Sequence, residues 1–314
     1  MNTTPHSLQF LRAGHSLGDV IINLILQLLV IFLLKYIVDS YGMQVTVCAP
    51  FAYVVVIAVC QFFLTTYYNR NRVTEANDEM KHSWKDKHWR MVVTMILLVY
   101  ISLSVKYASV CFYFQDYVDQ QALAACLNRW GMELERDEAY KVGLTSFIVV
   151  GMISQIGGGV IFEPFYNKAH VKKGLFSICM ALTALFSMLF YLAQPDDIGL
   201  MFVLFMLTSL IYAPTAPLLW GIVGSVADHV EFSTKRRVTF FIFSITTFAL
   251  NAGLALGVAF AGITLWASGY VSETDTLQSW SAVQGIRWVC SVLPTIFIVA
   301  VLAIHFHASL RRRT

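Results

Sequence analysis

Residues 91–114 read MVVTMILLVYISLSVKYASVCFYF, a run that contains a single charged residue, Lys106. An α-helix needs about 20 mostly apolar residues to cross the hydrocarbon core of a bilayer, whereas a barrel strand needs about half as many in an alternating pattern. This run has the length of a helix and does not alternate. It is therefore predicted to be a transmembrane helix.

Seven further runs follow the same pattern, at residues 17–39, 46–67, 142–164, 174–193, 199–224, 239–266 and 282–306. The 314-residue chain is 57% hydrophobic and 13% charged, which is too apolar for a soluble domain. We predict an all-α, polytopic membrane protein with about eight transmembrane helices in a lipid bilayer. The first run is longer than a signal-peptide core and lacks a following cleavage site, so we expect it to be retained, with residue 1 as the mature start.

The positive charges of the loops predict the orientation of the spans. Most of the 22 Lys and Arg residues fall in one alternating set of connections, residues 1–16, 68–90, 165–173, 225–238 and 307–314. The opposite set is nearly free of them, and its loop 267–281 carries Glu273 and Asp275. Since positive loops resist translocation, both termini are predicted to be cytoplasmic. We interpret the basic loop 68–90 as a solvated linker.

Residue types that carry enzymatic chemistry are present, but they lack the spacing of a known site. The six Cys residues are scattered singly and the eight His residues are spread along the chain, so neither a disulfide framework nor a zinc site is indicated. No H-E-x-x-H, G-x-S-x-G, Walker-type or dinucleotide motif occurs. We predict no enzyme, no cofactor or metal, and no nucleic-acid partner.

Five charged residues within the predicted spans need individual interpretation, because a charge inside a bilayer is costly and often marks a pathway. Lys35 and Lys106 lie near the ends of their helices, so we expect their side chains to snorkel to the interface. Glu163 and Arg287 are interpreted as near-interface groups. Asp19 lies about one turn into the first helix, and its short carboxylate is either a binding group or a helix-end residue.

Small residues and prolines cluster at three places, Gly157–Gly159, Pro214 with Pro217, and Gly253 with Gly257 and Gly262. Small residues allow helices to approach closely, and prolines loosen a helix where a cavity is shaped. Helix packing is the preferred interpretation of each cluster.

The sixth span and the loop after it resemble the signature of a transporter family. Residues 213–220 read APTAPLLW and residues 225–232 read SVADHVEF, with Arg237 shortly after them. At this point the glycoside-pentoside-hexuronide:cation symporters, a melibiose permease-like family of the major facilitator superfamily, have a Pro-rich span, a Trp, an A-D-x-x-D-Y-G-E-W-like loop and an Arg. Asp228, Glu231 and Arg237 match that pattern.

Other parts of the chain resemble the same family. Residues 248–257, FALNAGLALG, are similar to its F-x-x-K-x-G-x-A-x-G helix, with Asn251 at the Lys position. Residues 15–19 and 39–42 resemble the start and exit of its first helix, whereas the next span resembles its sixth helix and central loop. The resemblance implies a shortened major facilitator superfamily fold without helices two to five. The implied domains are a remnant of the N-terminal half at 1–67, a cytoplasmic basic linker at 68–90 and a C-terminal six-helix bundle at 91–314.

The resemblance also implies roles for individual residues. Asp19 would hold sugar hydroxyls through charge-assisted hydrogen bonds, and Asn251 stands where the family has a coupling Lys. The other implied substrate-binding residues are Thr246, Thr247 and Leu250 on the cavity face and Trp220, which would stack on a sugar. Packing is the alternative for Trp220 and the two threonines. Asp228, Glu231 and Arg237 would form a cytoplasmic gate, with simple hydration as the alternative.

We therefore predict transport of a glycoside, pentoside or hexuronide in symport with H⁺ or Na⁺, by alternating access in a bacterial cytoplasmic (inner) membrane. The loss of four helices would open a central site sideways to lipid, and a homodimer could cover it. The alternative is a truncated, non-transporting or accessory membrane protein of the same family.

Overall fold

The computed structural model describes residues 87–129, 131, 136–166, 169–234, 239–271 and 278–310. The predicted spans at 17–39 and 46–67, and with them Asp19 and Lys35, lie outside the described residues. So does the predicted linker 68–90, except for residues that form the start of the first described helix.

Helices make up almost all of the described part of the chain, and no strand occurs in it. They are α1 Lys87–Asp116, α2 Gln120–Arg129, α3 Arg136–Tyr166, α4 Ala169–Leu189, α5 Ile198–Tyr212, α6 Thr215–Thr234, α7 Thr239–Ala267, α8 Trp280–Arg287 and α9 Leu293–Leu310. A helix satisfies its backbone polar groups within one segment, as lipid requires. The predicted all-α fold class is confirmed.

Within the described residues, six segments are long and apolar enough to cross a bilayer, Lys87–Asp116, Ala139–Phe165, Gly174–Leu192, Ile198–Phe232, Ile245–Ala267 and Trp280–His307. Each overlaps one of the predicted spans. The total of eight stays a prediction, because the first two spans lie outside the described part.

The segment Ile198–Phe232 consists of two helices, α5 and α6, with a break at Ala213 and Pro214. Proline has no N–H with which to continue the helical ladder. The ladder restarts where the N–H of Leu218 donates to the carbonyl of Pro214 at 3.1 Å. The proline cluster therefore interrupts this span, whereas the preferred interpretation of the cluster was helix packing.

The last span is irregular as well. Trp288–Val292 form a π-helical turn between α8 and α9, and Pro294 follows it. The hydroxyl of Ser102 in α1 donates to the carbonyl of Pro294 at 3.0 Å. A side chain of α1 thus satisfies a carbonyl next to the irregular turn.

α1 forms the centre of the bundle, and its side chains at residues 99–114 are all buried. α7 packs along α1 by way of two glycines. A methyl group on Gly257 would lie 2.6 Å from the carbonyl oxygen of Ile101, and one on Gly253 would lie 2.7 Å from that of Leu97. Only glycine permits this approach of the two backbones. The prediction that these two glycines serve helix packing is confirmed.

One end of the bundle is closed by tyrosine hydrogen bonds, and we call it the Asp116 end (residues 116–120, 190–197 and 268–271). The hydroxyl of Tyr270 donates to the carboxylate of Asp116 at 2.9 Å, and that of Tyr117 donates to the carbonyl of Ala193 at 2.7 Å. Burial raises the pKa of Tyr117. The phenol therefore keeps the proton that it donates.

Arg287 connects α8 to the Asp116 end through contacts with Tyr191 and Tyr117. Its guanidinium donates to the carbonyl of Tyr191 at 2.5 Å. The same group lies 4.3 Å from the ring centre of Tyr191 and 5.3 Å from that of Tyr117. This position at one end of the bundle agrees with the interpretation of Arg287 as a near-interface group.

Replacing Arg287 by glutamine should lower the apparent Tm of the purified protein by about 4 °C. The variant loses the hydrogen bonds of a charged donor to Tyr191 and Gln284 and two cation–π contacts, together worth about 1–2 kcal/mol at a partly exposed site. Thermal unfolding in detergent measures the effect. Arg129→Gln is the matched control, because Arg129 is exposed on α2, and equal Tm values for the two variants would contradict the expectation.

Candidate functional site

Three of the predicted substrate-binding residues lie on one side of α7, which we call the α7 face (Phe243, Thr247, Leu250 and Asn251). Residues at a spacing of four share a side of a helix. Thr247 and Phe243 are exposed, and Leu250 and Asn251 are half-buried. The ring of Trp220 in α6 stacks on that of Phe243, with 5.8 Å between centroids and 11° between planes.

The polar side chains of the α7 face donate hydrogen bonds to backbone carbonyls of α7 itself. The hydroxyl of Thr247 donates to the carbonyl of Phe243 at 3.0 Å, and the amide of Asn251 donates to the carbonyl of Thr247 at 2.9 Å. The amide oxygen, the second amide hydrogen and the hydroxyl lone pairs are left over from these two bonds. Next to two aromatic rings, they suit a ligand that has both hydroxyl groups and an apolar face.

Thr246 does not belong to this face. Its side chain is 2% exposed. Its hydroxyl has no hydrogen-bond partner among the described residues. The structure thus brings Thr247, Leu250, Asn251 and Trp220 together and turns Thr246 into the bundle.

The predicted gate residues lie near the end of α6. Asp228 is exposed, and Glu231 is half-buried about one turn further along. Between them, the ring of His229 lies 6.4 Å from that of His88 at the start of α1. Arg237 lies outside the described residues, so the charge network stays a prediction. The contact between the two histidines was missed because it joins residues that are remote in sequence.

Among the residues that the structure describes, no cluster of three or more metal-binding side chains occurs. Cys111, Cys126, Cys179 and Cys290 form no disulfide within the described part of the chain. Asp19 is not described. The expectations about cofactors, the coupling ion and the role of Asp19 therefore stay predictions.

The prediction that Lys106 snorkels to the interface is wrong. Lys106 lies about 15 Å from the end of α1 at Asp116, given a rise of about 1.5 Å per residue. It is 8% exposed, and its Nζ lies 5.4 Å from the ring centre of Phe205 inside the bundle. The sequence does contain a signal for a polar interior here, because three serines surround the lysine in the same run, Ser102, Ser104 and Ser109.

The sequence profile of the family described as MFS/sugar transport protein matches residues 15–312. The chain belongs to this family. As a member of the MFS/sugar transport protein family, it is an integral membrane protein, and its predicted likeness to the melibiose permease-like family is confirmed. The family is one of transporters and not of enzymes, as the sequence predicted.

This MFS/sugar transport family member is similar to several curated bacterial proteins. It is 26% identical to the putative glycoside/cation symporter YagG of Escherichia coli (strain K12), over 48% of this chain and 33% of the relative. It is 21% identical to the inner membrane symporter YicJ of the same organism, over 75% and 47% of the two chains. It is 28% identical to an uncharacterized 29.9 kDa protein of Pseudescherichia vulneris, over 52% and 61%. The chain therefore spans between 33% and 61% of these relatives.

Proposed function

We propose that this family member carries a sugar, either a glycoside, a pentoside or a hexuronide, across a bacterial inner membrane in symport with H⁺ or Na⁺. The description of the family and the names of YagG and YicJ support this assignment. The transport mechanism would be alternating access, in which a central site opens to one side of the membrane at a time. Both termini would lie in the cytoplasm.

The α7 face is the observation that carries the proposal. Hydrocarbon offers no partner to a polar group, yet the amide oxygen and second amide hydrogen of Asn251 and the lone pairs of Thr247 are left over within the spanning segment Ile245–Ala267. Such a surface fits a water-filled cavity better than it fits lipid. A sugar has hydroxyl groups at its edge and an apolar ring face. Its hydroxyl groups would bond to the amide of Asn251 and the hydroxyl of Thr247, and its apolar face would pack on the rings of Trp220 and Phe243.

The test is the uptake of labelled glycosides, pentosides and hexuronic acids by cells that express the chain, with membrane insertion verified in each culture. We expect accumulation of one class above the level of empty cells. Accumulation of the sugar should be lost when a protonophore is added if H⁺ is the coupling ion. It should be lost in Na⁺-free medium if Na⁺ is the coupling ion. Equal levels in expressing and empty cells for every sugar, with the protein inserted, would contradict the proposal.

Replacing Thr247 by valine should lower the rate of uptake at low substrate concentration about fivefold. Valine keeps the shape of the side chain and removes an acceptor worth about 1 kcal/mol to a sugar hydroxyl. The matched control is Thr264→Val on the same helix, because the hydroxyl of Thr264 makes the same type of bond to its own helix, to Phe260 at 2.8 Å. Equal rates in the two variants would place Thr247 outside the site.

A non-transporting or accessory membrane protein of the same family is the second candidate. Asn251 favours it, because its amide bonds to its own helix where the resemblance implies a charged coupling residue. In that case no sugar would accumulate, although the protein is inserted and folded.

A further inference from the structure

A small cavity lies inside the bundle between α1, α4, α5 and α9, away from the α7 face. Its polar lining consists of Lys106 and hydroxyl-bearing residues, chiefly Tyr107, Thr183, Ser187, Thr208 and Ser209. The cavity volume is about 20 Å³. A space of this size holds one particle of about the size of a water molecule, and it has no room for a sugar.

Two donors that face this cavity have no hydrogen-bond partner within the described part of the chain, the ammonium of Lys106 and the hydroxyl of Ser187. The side chain of Lys106 is 8% exposed and that of Ser187 is 1% exposed. Buried polar groups are normally paired, and a buried charge needs a partner more than any other group does. Both donors therefore point to a missing ligand in the space between them.

Two other hydroxyls of the lining donate their protons to carbonyls of their own helices. Thr183 donates to the carbonyl of Cys179 at 2.8 Å, and Thr208 donates to that of Leu204 at 2.6 Å. Tyr107 and Ser209 are hydrogen-bonded to each other. Among the lining residues, Lys106 and Ser187 are the two whose buried side-chain polar atom has no hydrogen-bond partner within the described part of the chain.

The lining of the cavity includes no acidic residue, so it supplies no counter-charge for the ammonium. The ring of Phe205, whose centre lies 5.4 Å from Nζ, offers a partial negative face and no full charge. The site offers the ammonium of Lys106, the hydroxyl of Ser187 that is unpaired among the described residues, and room for one small particle. These features match the chemistry of a monoatomic anion. Carboxylates and phosphates are too large for the volume.

We propose that this cavity binds a chloride-sized anion, held by the ammonium of Lys106 and the hydroxyl of Ser187. The anion neutralises the buried charge and joins α1 to α4. Its binding stabilises the folded bundle in proportion to the occupancy of the site.

The test compares the apparent Tm of the purified full chain in sodium chloride and in sodium gluconate of equal ionic strength. We expect Tm to rise by about 5 °C between about 1 mM and 100 mM chloride, to rise similarly with bromide, and to stay constant in gluconate. Equal Tm values in chloride and gluconate would overturn the proposal, since they indicate a neutral amine beside a water molecule.

Lys106→Met keeps the length of the side chain and removes the charge, so its Tm should not respond to chloride. Lys141→Met is the matched control, because Lys141 is exposed on α3 and its loss should leave the chloride response intact. If Lys106→Met does not fold, Ser187→Ala serves as the test variant. It should raise the chloride concentration that gives half of the maximal Tm shift about fivefold. A chloride response that persists unchanged in the folded Lys106→Met variant, or in Ser187→Ala, would overturn the proposal. No sugar enters these measurements, so their outcome is independent of transport.

Discussion

Gly257→Leu is expected to prevent α7 from packing on α1 and to lower the apparent Tm by about 10 °C. The new side chain would meet the backbone of α1, since even a methyl group at this position lies 2.6 Å from the carbonyl oxygen of Ile101 and from the Cβ of Ser104. A backbone cannot rotate away as a side chain can. The helices would have to separate, which also breaks the bond from the hydroxyl of Ser104 to the carbonyl of Leu254 at 2.5 Å. We expect a cost of about 3 kcal/mol.

Thermal unfolding in detergent and the monodisperse fraction in gel filtration measure this effect. Gly221→Leu is the matched control, because no atom of a neighbour lies within 4 Å of a methyl group at Gly221 in α6. The Tm of that variant should equal that of the parent or be slightly higher, because leucine has a better helix propensity than glycine. A Gly257→Leu protein as stable as the control would show that α1 and α7 do not pack as described.

Asp19→Asn is expected to lower sugar uptake about 100-fold at unchanged membrane insertion. The substitution keeps the shape of the side chain but replaces charge-assisted hydrogen bonds to sugar hydroxyls by weaker neutral ones, at about 1.5 kcal/mol for each of two bonds. Initial rates of uptake of the transported sugar measure the change. This expectation derives from the sequence, since Asp19 lies outside the described residues.

Asp119→Asn controls for the loss of a carboxylate as such. Asp119 is exposed at the Asp116 end, where its side chain accepts from the N–H of Gln121 at 2.8 Å. We expect its uptake to stay within about twofold of the parent, because an exposed side chain away from the site contributes little. Equal rates for the Asp19 and Asp119 variants would remove Asp19 from the binding site.

Hydropathy was sufficient to locate the described spans, because each must hold about 20 apolar residues whatever its neighbours are. The run predicted at 282–306, for example, corresponds to the segment Trp280–His307. The break at Pro214 was not predicted, although proline gives a local signal for it through its missing N–H. The π-helical turn at Trp288–Val292 was not predicted, although Pro294 behind it is a comparable signal.

The candidate site was harder to predict because it depends on which way each side chain faces. The family resemblance placed Thr246 and Thr247 on one cavity face, but adjacent helical residues differ by about 100° in direction. In the structure only Thr247 shares the exposed side with Asn251. Lys106 was misjudged for a related reason, since its burial depends on Phe205 and Ser187, which belong to helices far along the chain.

The broken span Ile198–Phe232 is 35 residues long. At about 1.5 Å per residue it measures about 52 Å, against about 30 Å of hydrocarbon. The span is thus longer than the hydrocarbon is thick, and Asp228 and Glu231 lie near its end. If α6 tilts by about 10° around Pro214, Glu231 swings through about 4 Å, because it lies about 25 Å along the axis. A rotation of this size would move the carboxylate of Glu231 by about the distance that separates a formed ion pair from a broken one.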